Sequence, residues 1–470
     1  MNEYKIYCAG EFISGPEKIE VQNPYHEGAF AYTYLAGTDE LERAIESAQA
    51  ISGELANMPS FRRYEILMQI SHGLEQNLDR FARLLCEESG KPMRYAIGEI
   101  KRAIQTFLVA AEESKRLPGE VLSLDWTTAG AGKKGVVRYF PVGLVAGISP
   151  FNFPMNLAVH KIAPAIAAGC PIILKPSTNT PLSTLALAEI IDQTALPKGA
   201  VSILPMTRAT GNQLVTDDRF KLLSFTGSPH VGWMMKAQAG RKKVLLELGG
   251  NAGMVVTPSA DLDLAVQKAV IGGFAYSGQV CIHAQRIYVA AEIFDAFAEK
   301  FVARVRKLKL GDPLDPETEI SAMIDEANAK RVEAWVNEAV ADGAKVLCGG
   351  KRDGTYYEPT ILSETKPRMK VCALEVFGPV VTLEPYHDFE AVIAEVNDSE
   401  FGLQAGVFTN RIDEMDYAFN HLEVGGVIIN DSPIFRVDHM PYGGIKDSGL
   451  GREGLKYAIQ EMMEPRILVR

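Results

Sequence analysis

Two short segments contain residue types that could act together as a nucleophile and a base. Cys281 ends the loop segment Ser-Gly-Gln-Val-Cys, and Glu247 begins the upstream segment Glu-Leu-Gly-Gly-Asn. A cysteine thiolate can attack an electrophilic carbon, and a carboxylate can then activate water against the resulting thioester. Each segment alone is weak evidence, because a loop cysteine is more often an inert buried thiol and Glu-Leu-Gly-Gly can also be a strand end running into a turn.

The size and charge of the chain bear on its number of domains and on the classes of partner it can bind. It has 470 residues, of which 47% are hydrophobic and 23% charged, and its formal net charge is −11. A chain of this length exceeds one hydrophobic core, so two or three domains are expected. The acidic balance argues against nucleic acid or an anionic membrane as a partner, because both attract a basic surface.

The apolar runs and the cysteines indicate a cytoplasmic protein. No apolar run approaches the roughly 20 residues of a membrane span, and the first residues lack the basic and apolar regions of a signal peptide. The six cysteines are scattered without paired spacing, at Cys8, Cys86, Cys170, Cys281, Cys348 and Cys372. We therefore expect reduced thiols and no metal site, since no Cys/His cluster has zinc-ligand spacing.

Hydrophobic periodicity predicts an α/β protein. Helical spacing predicts helices at 41–51, 62–75, 78–87 and 95–116. Strands then alternate with helices: strands at 143–148, 171–175, 201–204, 222–225 and 244–247, helices at 157–168, 182–193 and 231–239. A second set follows, with strands at 253–256, 286–289 and 427–429 and helices at 262–275, 294–308 and 327–340. This alternation predicts parallel sheets covered by helices, with ligands in a cleft where the strand carboxyl ends meet.

The segment Phe225-Thr226-Gly227-Ser228 could bind the phosphates of a nucleotide. It follows an apolar strand and opens a helix, so its backbone N–H groups can face a pyrophosphate. A plain capped helix start is an equally good interpretation of the segment alone, and the Gly-x-Gly-x-x-Gly fingerprint is absent. Lys175 ends another buried strand and would place a cation at the same edge of the sheet.

Seven motifs occur in order along the chain: Pro150-Phe151-Asn152-Phe153-Pro154, Lys175-Pro176-Ser177, Phe225-Thr226-Gly227-Ser228, Glu247-Leu248-Gly249-Gly250-Asn251, Gly278-Gln279-Val280-Cys281, Glu375-Val376-Phe377-Gly378-Pro379 and Pro441-Tyr442-Gly443-Gly444. Together they resemble the aldehyde dehydrogenase superfamily, the NAD(P)-dependent enzymes that oxidise aldehydes to carboxylic acids. The resemblance runs from about Phe12 to the C-terminus. Segments 281–286 and 435–440 are most similar to a branch near the lactaldehyde and semialdehyde dehydrogenases.

The resemblance implies an α/β fold with three parts. Residues 1–117 and 141–248 would form a Rossmann-type NAD(P)-binding domain, and residues 249–448 an α/β catalytic domain. Residues 118–140 and 449–470 would form a small β oligomerisation arm and a C-terminal segment. Segments 133–140 and 462–469 are β-prone, and their family counterparts exchange between subunits, so a homodimer or homotetramer is expected. The alternative is that the tail pairs within its own chain.

The resemblance also assigns the reaction. Cys281 would attack the aldehyde to form a thiohemiacetal, with the Asn152 amide and the Cys281 N–H as the oxyanion hole; one such donor contributes about 3 kcal/mol to the transition state. Hydride transfer to the nicotinamide leaves a thioester, against which Glu247 activates water. Glu453 and Lys161 match residues of a proton path. Simpler interpretations are a turn residue for Asn152, a solvated helix-start glutamate for Glu453 and a surface lysine for Lys161.

The resemblance places the cofactor against sixteen residues: Ser149, Pro150, Phe151, Lys175, Ser177, Thr178, Arg208, Gly211, Phe225, Thr226, Gly227, Ser228, Leu248, Gly249, Glu375 and Phe377. Glu375 would bind the nicotinamide ribose hydroxyls, with Phe377 beside the ring. NAD-specific members often have a glutamate where this chain has Thr178, and a threonine can donate to a 2′-phosphate that a carboxylate would repel. Arg208 could add a guanidinium or point into solvent. We therefore expect NADP, either preferred or alongside NAD.

Position relative to the motifs predicts the substrate tunnel, lined by Phe153, Leu157, His160, His283 and Phe435, with Arg436 and His439 near its mouth. Arg436 could pair with a carboxylate or hydroxyls at the far end of a short substrate, or form a local ion pair with Asp438. Members that oxidise glyceraldehyde 3-phosphate have a tyrosine and an arginine where this chain has Phe153 and Val280, which disfavours that substrate. The prediction is a small polar aldehyde, such as succinate semialdehyde or lactaldehyde.

Three other classes of function compete with this one. A cofactor-independent cysteine hydrolase would pair Cys281 with His283, although residues two apart in a loop rarely form an oriented pair. A CoA-acylating dehydrogenase lacks a glutamate at the general-base position, so Glu247 favours hydrolysis to the free acid. A non-catalytic binding protein would not need Cys281, Glu247 and Asn152 together.

Overall fold

The computed structural model describes residues 1–26 and 28–470. Its helices, in chain order, are α1 (Thr38–Asn57), α2 (Ser60–Gln76), α3 (Leu78–Ser89), α4 (Met93–Ser114), α5 (Pro154–Ala168), α6 (Leu182–Asp192), α7 (Arg208–Thr216), α8 (Pro229–Gln238), α9 (Leu262–Phe274), α10 (Phe294–Val305), α11 (Glu326–Ala341), α12 (Lys370–Ala373), α13 (Phe389–Asn397), α14 (Ile412–His421) and α15 (Leu455–Glu461). Two 3₁₀ turns occupy Thr128–Gly130 and Ala275–Gly278.

The strands form two large sheets and several small ones. They are β1 (Asn2–Glu3), β2 (Ile6–Cys8), β3 (Glu11–Ile13), β4 (Glu17–Asn23), β5 (Gly28–Leu35), β6 (Gly119–Ser123), β7 (Lys134–Pro141), β8 (Val145–Ile148), β9 (Ile172–Lys175), β10 (Val201–Ile203), β11 (Leu222–Thr226), β12 (Lys243–Glu247), β13 (Ala252–Val256), β14 (Ala284–Ala290), β15 (Lys345–Cys348), β16 (Arg352–Asp353), β17 (Tyr356–Tyr357), β18 (Thr360–Ser363), β19 (Val380–Tyr386), β20 (Phe401–Gly402), β21 (Gln404–Phe408), β22 (Gly426–Ile429), β23 (Ile445–Lys446), β24 (Gly449–Leu450) and β25 (Met463–Val469).

The first large sheet has the order β24-β12-β11-β8-β9-β10-β2-β3, and its five central strands, β8 to β12, run parallel. Alternate residues of these strands face two separate cores: Ile172 and Leu174 pack with α2 to α6, whereas Ile173 packs with α1, α7 and α8. The chain order reverses beside β8, which has β9 on one side and β11 on the other. A crevice at the carboxyl ends of strands is expected at such a reversal.

The second large sheet has the order β15-β18-β19-β14-β13-β21-β22, with all neighbours parallel except β15 and β18. Helices α9 and α10 cover one face, and α13 and α14 cover the other. This sheet also reverses its chain order, between β13 and β21. Two parallel sheets with helices on both faces confirm the α/β class predicted from the sequence.

The arm is a three-stranded antiparallel sheet with the order β25-β7-β6. The C-terminal strand β25 pairs with β7 of its own chain, which is the alternative that the sequence left open for the tail. All five residues of β6 are exposed. Both outer strands, β6 and β25, therefore present a backbone edge.

The predicted helices and strands are confirmed as elements, with ends that shift by a few residues. The sequence missed the N-terminal strands β1 to β5, of which β1 to β3 are too short, at two or three residues, to show alternation. It also gave no strand for β15 to β21, β23 or β24 and no helix for α7 or α12 to α15.

Helix α5 is the element that carries the Asn152 loop into the core. All fifteen of its residues are buried, and Pro154 occupies its first turn, where the missing N–H does no harm. The helix ends at Gly169, whose φ of +84° suits glycine and where a Cβ would lie 2.8 Å from the Leu55 carbonyl oxygen. Arg63 donates to that same carbonyl and to Ala167 O. The loop before α5 is thus attached to a rigid support.

Candidate active site

One cavity of about 410 Å³ lies where the parallel strands of the first sheet end. Strand β8 leads into the Asn152 loop, β11 into Thr226 and Gly227, and β12 ends at Glu247. The second sheet contributes Cys281, Glu375 and Phe377 to the opposite wall. The full lining is Pro150, Phe151, Asn152, Leu157, Thr226, Gly227, Ser228, Glu247, Leu248, Gly249, Cys281, Arg331, Glu375 and Phe377.

The loop that presents Cys281 has an unusual backbone. Tyr276, Ser277 and Gly278 all have positive φ, of +49°, +53° and +67°. At Gly278 a Cβ would lie 2.1 Å from the Gly378 carbonyl oxygen, so only glycine fits there. The result is a tight turn that brings Cys281 to the cavity wall.

The sulfur of Cys281 lies 3.2 Å from the hydroxyl oxygen of Tyr442. Burial raises the pKa of the Cys281 thiol to about 11, although the hydrogen bond with Tyr442 and the charge of Arg436 act in the opposite direction. His283, by contrast, hydrogen-bonds the Gly273 carbonyl at 2.8 Å and is buried. Cys281 is therefore not paired with His283, as the cysteine-hydrolase alternative would require.

Asn152 is held from both sides. Its side-chain amide donates to the Gln279 carbonyl at 3.0 Å, which ties it to the Cys281 loop. The buried Lys91 donates to the Asn152 carbonyl at 2.7 Å and forms an ion pair with Glu99. Glu99 in turn accepts from the first N–H groups of α5, those of Met155 and Asn156, at 3.0 and 3.1 Å. The Lys91–Glu99 pair thus fixes both ends of the asparagine loop, and Asn152 is more than a turn residue.

Glu247 is a buried carboxyl group at the end of β12. Burial and the nearby Glu453 raise its pKa well above the ordinary value, while Arg436, Lys161 and Arg452 lower it less strongly. Its Oε2 has no hydrogen-bond partner among the described residues. A buried carboxyl group with a raised pKa and a free oxygen has the features of a general base that works on a water molecule.

A cluster of buried charges lies behind Glu247. Glu453 accepts from Arg436 at 2.8 Å and from Lys161 at 3.5 Å, and Lys161 also donates to Thr226 Oγ1 at 2.7 Å. Although burial opposes ionisation, Lys161 and Arg436 lower the pKa of Glu453 below its usual range. The interpretations of Lys161 as a surface lysine and of Glu453 as a solvated glutamate are therefore wrong.

A second buried charge cluster surrounds Asp438. It accepts from Arg102 at 2.7 Å and lies 2.8 Å from His160 Nε2. Burial lowers the pKa of His160. The local ion pair considered for Arg436 is thus formed with Glu453, and Asp438 is bound by other residues.

Three residues predicted for the tunnel, His160, His283 and Arg436, are not among the residues that line this cavity. His160 contacts Asp438, His283 contacts the Gly273 carbonyl, and the Arg436 side chain is only 6% exposed. Leu157 does line the cavity, and Phe153 packs beside Cys281 in a small apolar cluster. Phe435 and His439 are exposed.

The side of the cavity predicted to hold the nicotinamide contains Glu375 and Phe377. Glu375 accepts from the Gly250 N–H at 3.0 Å, and burial raises its pKa to about 7. Phe377 has a φ of +47°, and its ring meets that of Phe151 edge-on at 5.8 Å. Arg331, which the sequence did not single out, also lines the cavity and donates to the Val376 carbonyl at 2.8 Å.

The predicted adenosine end lies at the ends of β8 and β9. The side-chain stem of Lys175 packs on Gly211, where a Cβ would be 2.9 Å from it. Burial and the neighbouring charge of Arg208 lower the pKa of Lys175 to about 8. Arg208 is exposed at the first residue of α7, and Ser177 and Thr178 are half-buried. Ser149 donates its N–H to the Lys175 carbonyl at 3.1 Å, and Phe225 packs beneath Gly227.

Sequence reasoning missed Lys91, Glu99, Arg102, Arg331 and a role for Tyr442. The signal for Tyr442 was present, since it stands in a motif that the sequence analysis singled out. Lys91 stands between Gly90 and Pro92, a small hint of a constrained position. The pairings of Lys91 with Glu99 and of Arg102 with Asp438 had no sequence signal.

The part of the chain that the structure describes contains no group of three or more His, Cys, Asp or Glu side chains that could hold a metal ion. Across residues 1–26 and 28–470, no helix is long and apolar enough to cross a membrane.

We expect Lys91→Met to lower the free energy of unfolding by about 3–5 kcal/mol, because it leaves the Glu99 carboxylate buried without a cation. In the double variant Lys91→Met/Glu99→Leu the loss should be smaller than the sum of the two single losses, since the unpaired charge is gone. Urea unfolding of the wild type, Lys91→Met, Glu99→Leu and the double variant measures this coupling. Strictly additive losses would contradict it.

Comparisons with known proteins identify the family of the chain. The model of the aldehyde dehydrogenase family matches residues 12–468. The chain is 44% identical over 471 residues to the 3-sulfolactaldehyde dehydrogenase of Priestia aryabhattai, covering 100% of this chain and 98% of that protein.

Two solved structures are similar over the whole chain. The crystal structure of aldehyde dehydrogenase 21 from Physcomitrella patens, in complex with the reaction product succinate, has a TM-score of 0.98 and 46% identity, covering 100% of this chain and 98% of that one. An NADP-dependent enzyme of E. coli has a TM-score of 0.96 and 37% identity, covering 100% and 98%. The expected fold and the resemblance are thus confirmed: the chain belongs to the aldehyde dehydrogenase family, whose members oxidise aldehydes to carboxylic acids.

Proposed function

We propose that this aldehyde dehydrogenase oxidises a small polar aldehyde to its free acid on Cys281, with NADP preferred or used alongside NAD. The observation that carries the proposal is that one cavity is lined by a cysteine, an asparagine amide and a buried glutamate, and also by Glu375 and Phe377. The first three residues fit acyl chemistry on sulfur. The last two fit the ribose and ring of a nicotinamide, because a buried carboxylate can accept from sugar hydroxyls.

In the first step the Cys281 thiolate forms a bond to the aldehyde carbon, and the carbonyl oxygen becomes an oxyanion. The Asn152 amide and the Cys281 N–H are the proposed donors to that oxyanion. The Lys91–Glu99 pair holds the asparagine loop, so these donors need little reorganisation when the charge develops. A nicotinamide held beside Glu375 and Phe377 would accept the hydride that leaves the carbon.

In the second step Glu247 takes a proton from water, which attacks the thioester and releases the acid and the thiolate. The Glu247 carboxyl must be ionised to do so, and its pKa is raised by burial. The neighbouring Lys161 and Glu453 are the proposed path through which the proton is passed on, and Arg436 forms an ion pair with Glu453. A CoA-acylating enzyme would not need this base, and a cysteine hydrolase would not need Glu375 and Phe377.

The arrangement around Arg436 supports a substrate with a second polar group near the aldehyde. Arg436 lies 3.6 Å above the ring of Tyr442, and the hydroxyl of that same tyrosine contacts Cys281. Tyr442 thus contacts both the Arg436 guanidinium and the Cys281 sulfur. The guanidinium also forms an ion pair with Glu453. A carboxylate, sulfonate or hydroxyl a few carbons from the aldehyde could approach it. The names of the similar proteins, which refer to sulfolactaldehyde and succinate, fit this class.

The function is tested with a panel of aldehydes assayed by NADPH formation. Succinate semialdehyde, lactaldehyde and 3-sulfolactaldehyde should each give a higher kcat/KM than propanal, because propanal has no group for the polar end of the site. The rate should not depend on added coenzyme A. A preference for propanal would contradict the substrate class, and acyl-CoA formation would favour the CoA-acylating alternative.

Glu247→Gln should separate the two chemical steps. The variant should still form one NADPH per active site in a rapid burst, while its steady-state rate falls by about a hundredfold or more, the usual contribution of a general base. Stopped-flow absorbance measures both phases. Cys281→Ser serves as the control that removes the burst, and loss of the burst in Glu247→Gln would exclude a role restricted to hydrolysis.

NADP use is supported by the two cations at the predicted adenosine end. Lys175 and Arg208 are close enough for one to lower the pKa of the other, and a bound 2′-phosphate would relieve this repulsion. Thr178 adds a hydroxyl and no negative charge.

Arg208→Ala should lower kcat/KM for NADP by about tenfold, since it removes a hydrogen bond to a charged group, and should leave kcat/KM for NAD nearly unchanged. The matched control is Arg241→Ala, because Arg241 is an exposed arginine that precedes the first residue of β12. A wild-type enzyme with a strong preference for NAD would overturn the cofactor proposal.

We also propose that the chain assembles through the arm as a homodimer or homotetramer. Its proposed domains are the NAD(P)-binding domain (1–117 and 141–248), the catalytic domain (249–448) and the arm with the C-terminal segment (118–140 and 449–470). Strands β6 and β25 expose backbone edges, and apolar side chains of the arm are in solvent, among them Val121 (78% exposed) and Trp126 (89%). Such an edge normally pairs with another strand. The six free cysteines fit the reducing cytoplasm.

Sedimentation at micromolar concentration should therefore show a particle of at least twice the 51.4 kDa chain mass. Trp126→Glu should shift the distribution towards smaller species, because it places a charge on the apolar surface of the arm. A 51.4 kDa species of the unaltered protein would contradict this assembly.

A further inference from the structure

Tyr442 is in direct contact with the proposed nucleophile. Its hydroxyl oxygen lies 3.2 Å from the sulfur of Cys281, and its side chain is buried, 2% exposed. It packs with Val280, Ile282 and Leu403 in the apolar cluster around the cysteine. A phenylalanine would fill the same space, so packing alone does not explain a hydroxyl at this position.

The backbone around Tyr442 is fixed by Glu453. The Tyr442 N–H donates to the Glu453 carbonyl at 3.1 Å, and the Glu453 N–H donates to the Tyr442 carbonyl at 2.6 Å. The Glu453 carboxylate accepts from Arg436, which lies over the tyrosine ring with its guanidinium carbon 3.6 Å from the ring centroid. The ring is thus held at its backbone and on one face, and its hydroxyl can point only where the surrounding packing directs it.

We propose that Tyr442 is a further catalytic residue, whose hydroxyl donates a hydrogen bond to the Cys281 sulfur whenever that sulfur is negatively charged. The inference rests on the proposed function, in which Cys281 is the nucleophile. In the attack, the sulfur–carbon bond forms as the carbonyl π bond breaks, so the charge moves from sulfur to oxygen. In the hydrolysis, the oxygen–carbon bond forms and the sulfur–carbon bond breaks. The charge then returns to sulfur, and the Tyr442 O–H is in place to stabilise the leaving thiolate.

The electrostatics of the pocket make such a donor necessary. Burial disfavours a thiolate at Cys281, and the carboxyl groups of Glu375 and Glu247 face the same sulfur and disfavour it further. Tyr442 and Arg436 act in the opposite direction. Arg436 also acts through the ring, since a cation over a phenol strengthens the O–H as a donor. A hydrogen bond to a charged group inside a protein is among the stronger polar interactions.

The test compares Tyr442→Phe with the wild type in the absence of aldehyde and cofactor. Alkylation of Cys281 by iodoacetamide is followed by mass spectrometry from pH 6 to pH 10, and the rates of the two proteins are compared at each pH. We expect the rate of the variant to be lower by about ten- to a hundredfold at each pH, because loss of the hydrogen bond raises the pKa of the thiol and leaves less thiolate. The variant keeps every charged group that acts on Cys281 or Glu247, namely Lys161, Arg436, Arg452, Glu247, Glu375 and Glu453.

Tyr7→Phe is the matched control, because it removes the hydroxyl by which Tyr7 of β2 donates to Asp192 at the end of α6, far along the chain from Cys281. Its alkylation rates should equal those of the wild type. Unchanged alkylation rates in Tyr442→Phe would overturn the inference and leave the tyrosine a packing role. Because alkylation needs no turnover, failure of the wild type to oxidise any aldehyde would instead refute the proposed function, and the two failures remain distinct.

Discussion

The hydrogen bond from the Asn152 amide to the Gln279 carbonyl is the contact on which the site depends, because it joins the two α/β units where the chemistry is proposed to occur. Asn152 follows β8 of the first sheet, and Gln279 lies in the loop before Cys281 of the second. Neither unit alone contains both the Asn152 amide, one of the two proposed oxyanion donors, and the nucleophile. A small movement of one unit against the other would separate them, and reacting groups tolerate little displacement.

Several further contacts tighten the same junction. Lys91 holds the Asn152 carbonyl while its charged end faces the rings of Phe153 and Tyr276, the latter from the Cys281 loop. Tyr276 in turn donates its hydroxyl to the Ser89 carbonyl at the end of α3. On the other wall, Glu375 accepts from the N–H of Gly250, directly after β12. The junction is therefore polar and buried, which makes its geometry specific, since every unpaired group would cost energy.

The buried charges behind the cavity have different tasks because their partners differ. Glu453 has two cations within hydrogen-bonding distance and stays ionised, whereas Glu247 has none that close, and its pKa is raised. The neighbours of the two buried carboxyl groups thus shift their pKa values in opposite directions, a usual way to obtain a base and a charge carrier from the same residue type. Removing Lys161 or Arg436 would also change the pKa of Glu247, because the charge of Glu453 disfavours ionisation of Glu247 and the two cations favour it.

The sequence was sufficient for the motifs and for most of the long helices and parallel strands, but not for the short elements or the pairings. Periodicity located the parallel strands, and strand ends with Asn152, Lys175, Thr226 and Glu247 followed from that, because parallel strands end at one edge. The ion pairs Arg436–Glu453 and Arg102–Asp438 could not be predicted, since nothing in a local pattern tells which of several nearby carboxylates an arginine will meet. The same limit holds for His160 and His283, since closeness to a motif in sequence does not tell that they contact Asp438 and the Gly273 carbonyl.

The glycines of the motifs show why a sequence pattern could nevertheless identify the site. A Cβ on Gly249 would lie 2.5 Å from Glu375 Oε2, and a Cβ on Gly443 would lie 2.9 Å from Glu247 Oε1. A side chain at either position would displace a carboxylate that the proposed reaction uses. Gly249 and Gly443 thus leave room for the side chains of Glu375 and Glu247. They appear in the sequence as parts of motifs because any other residue would occupy that room.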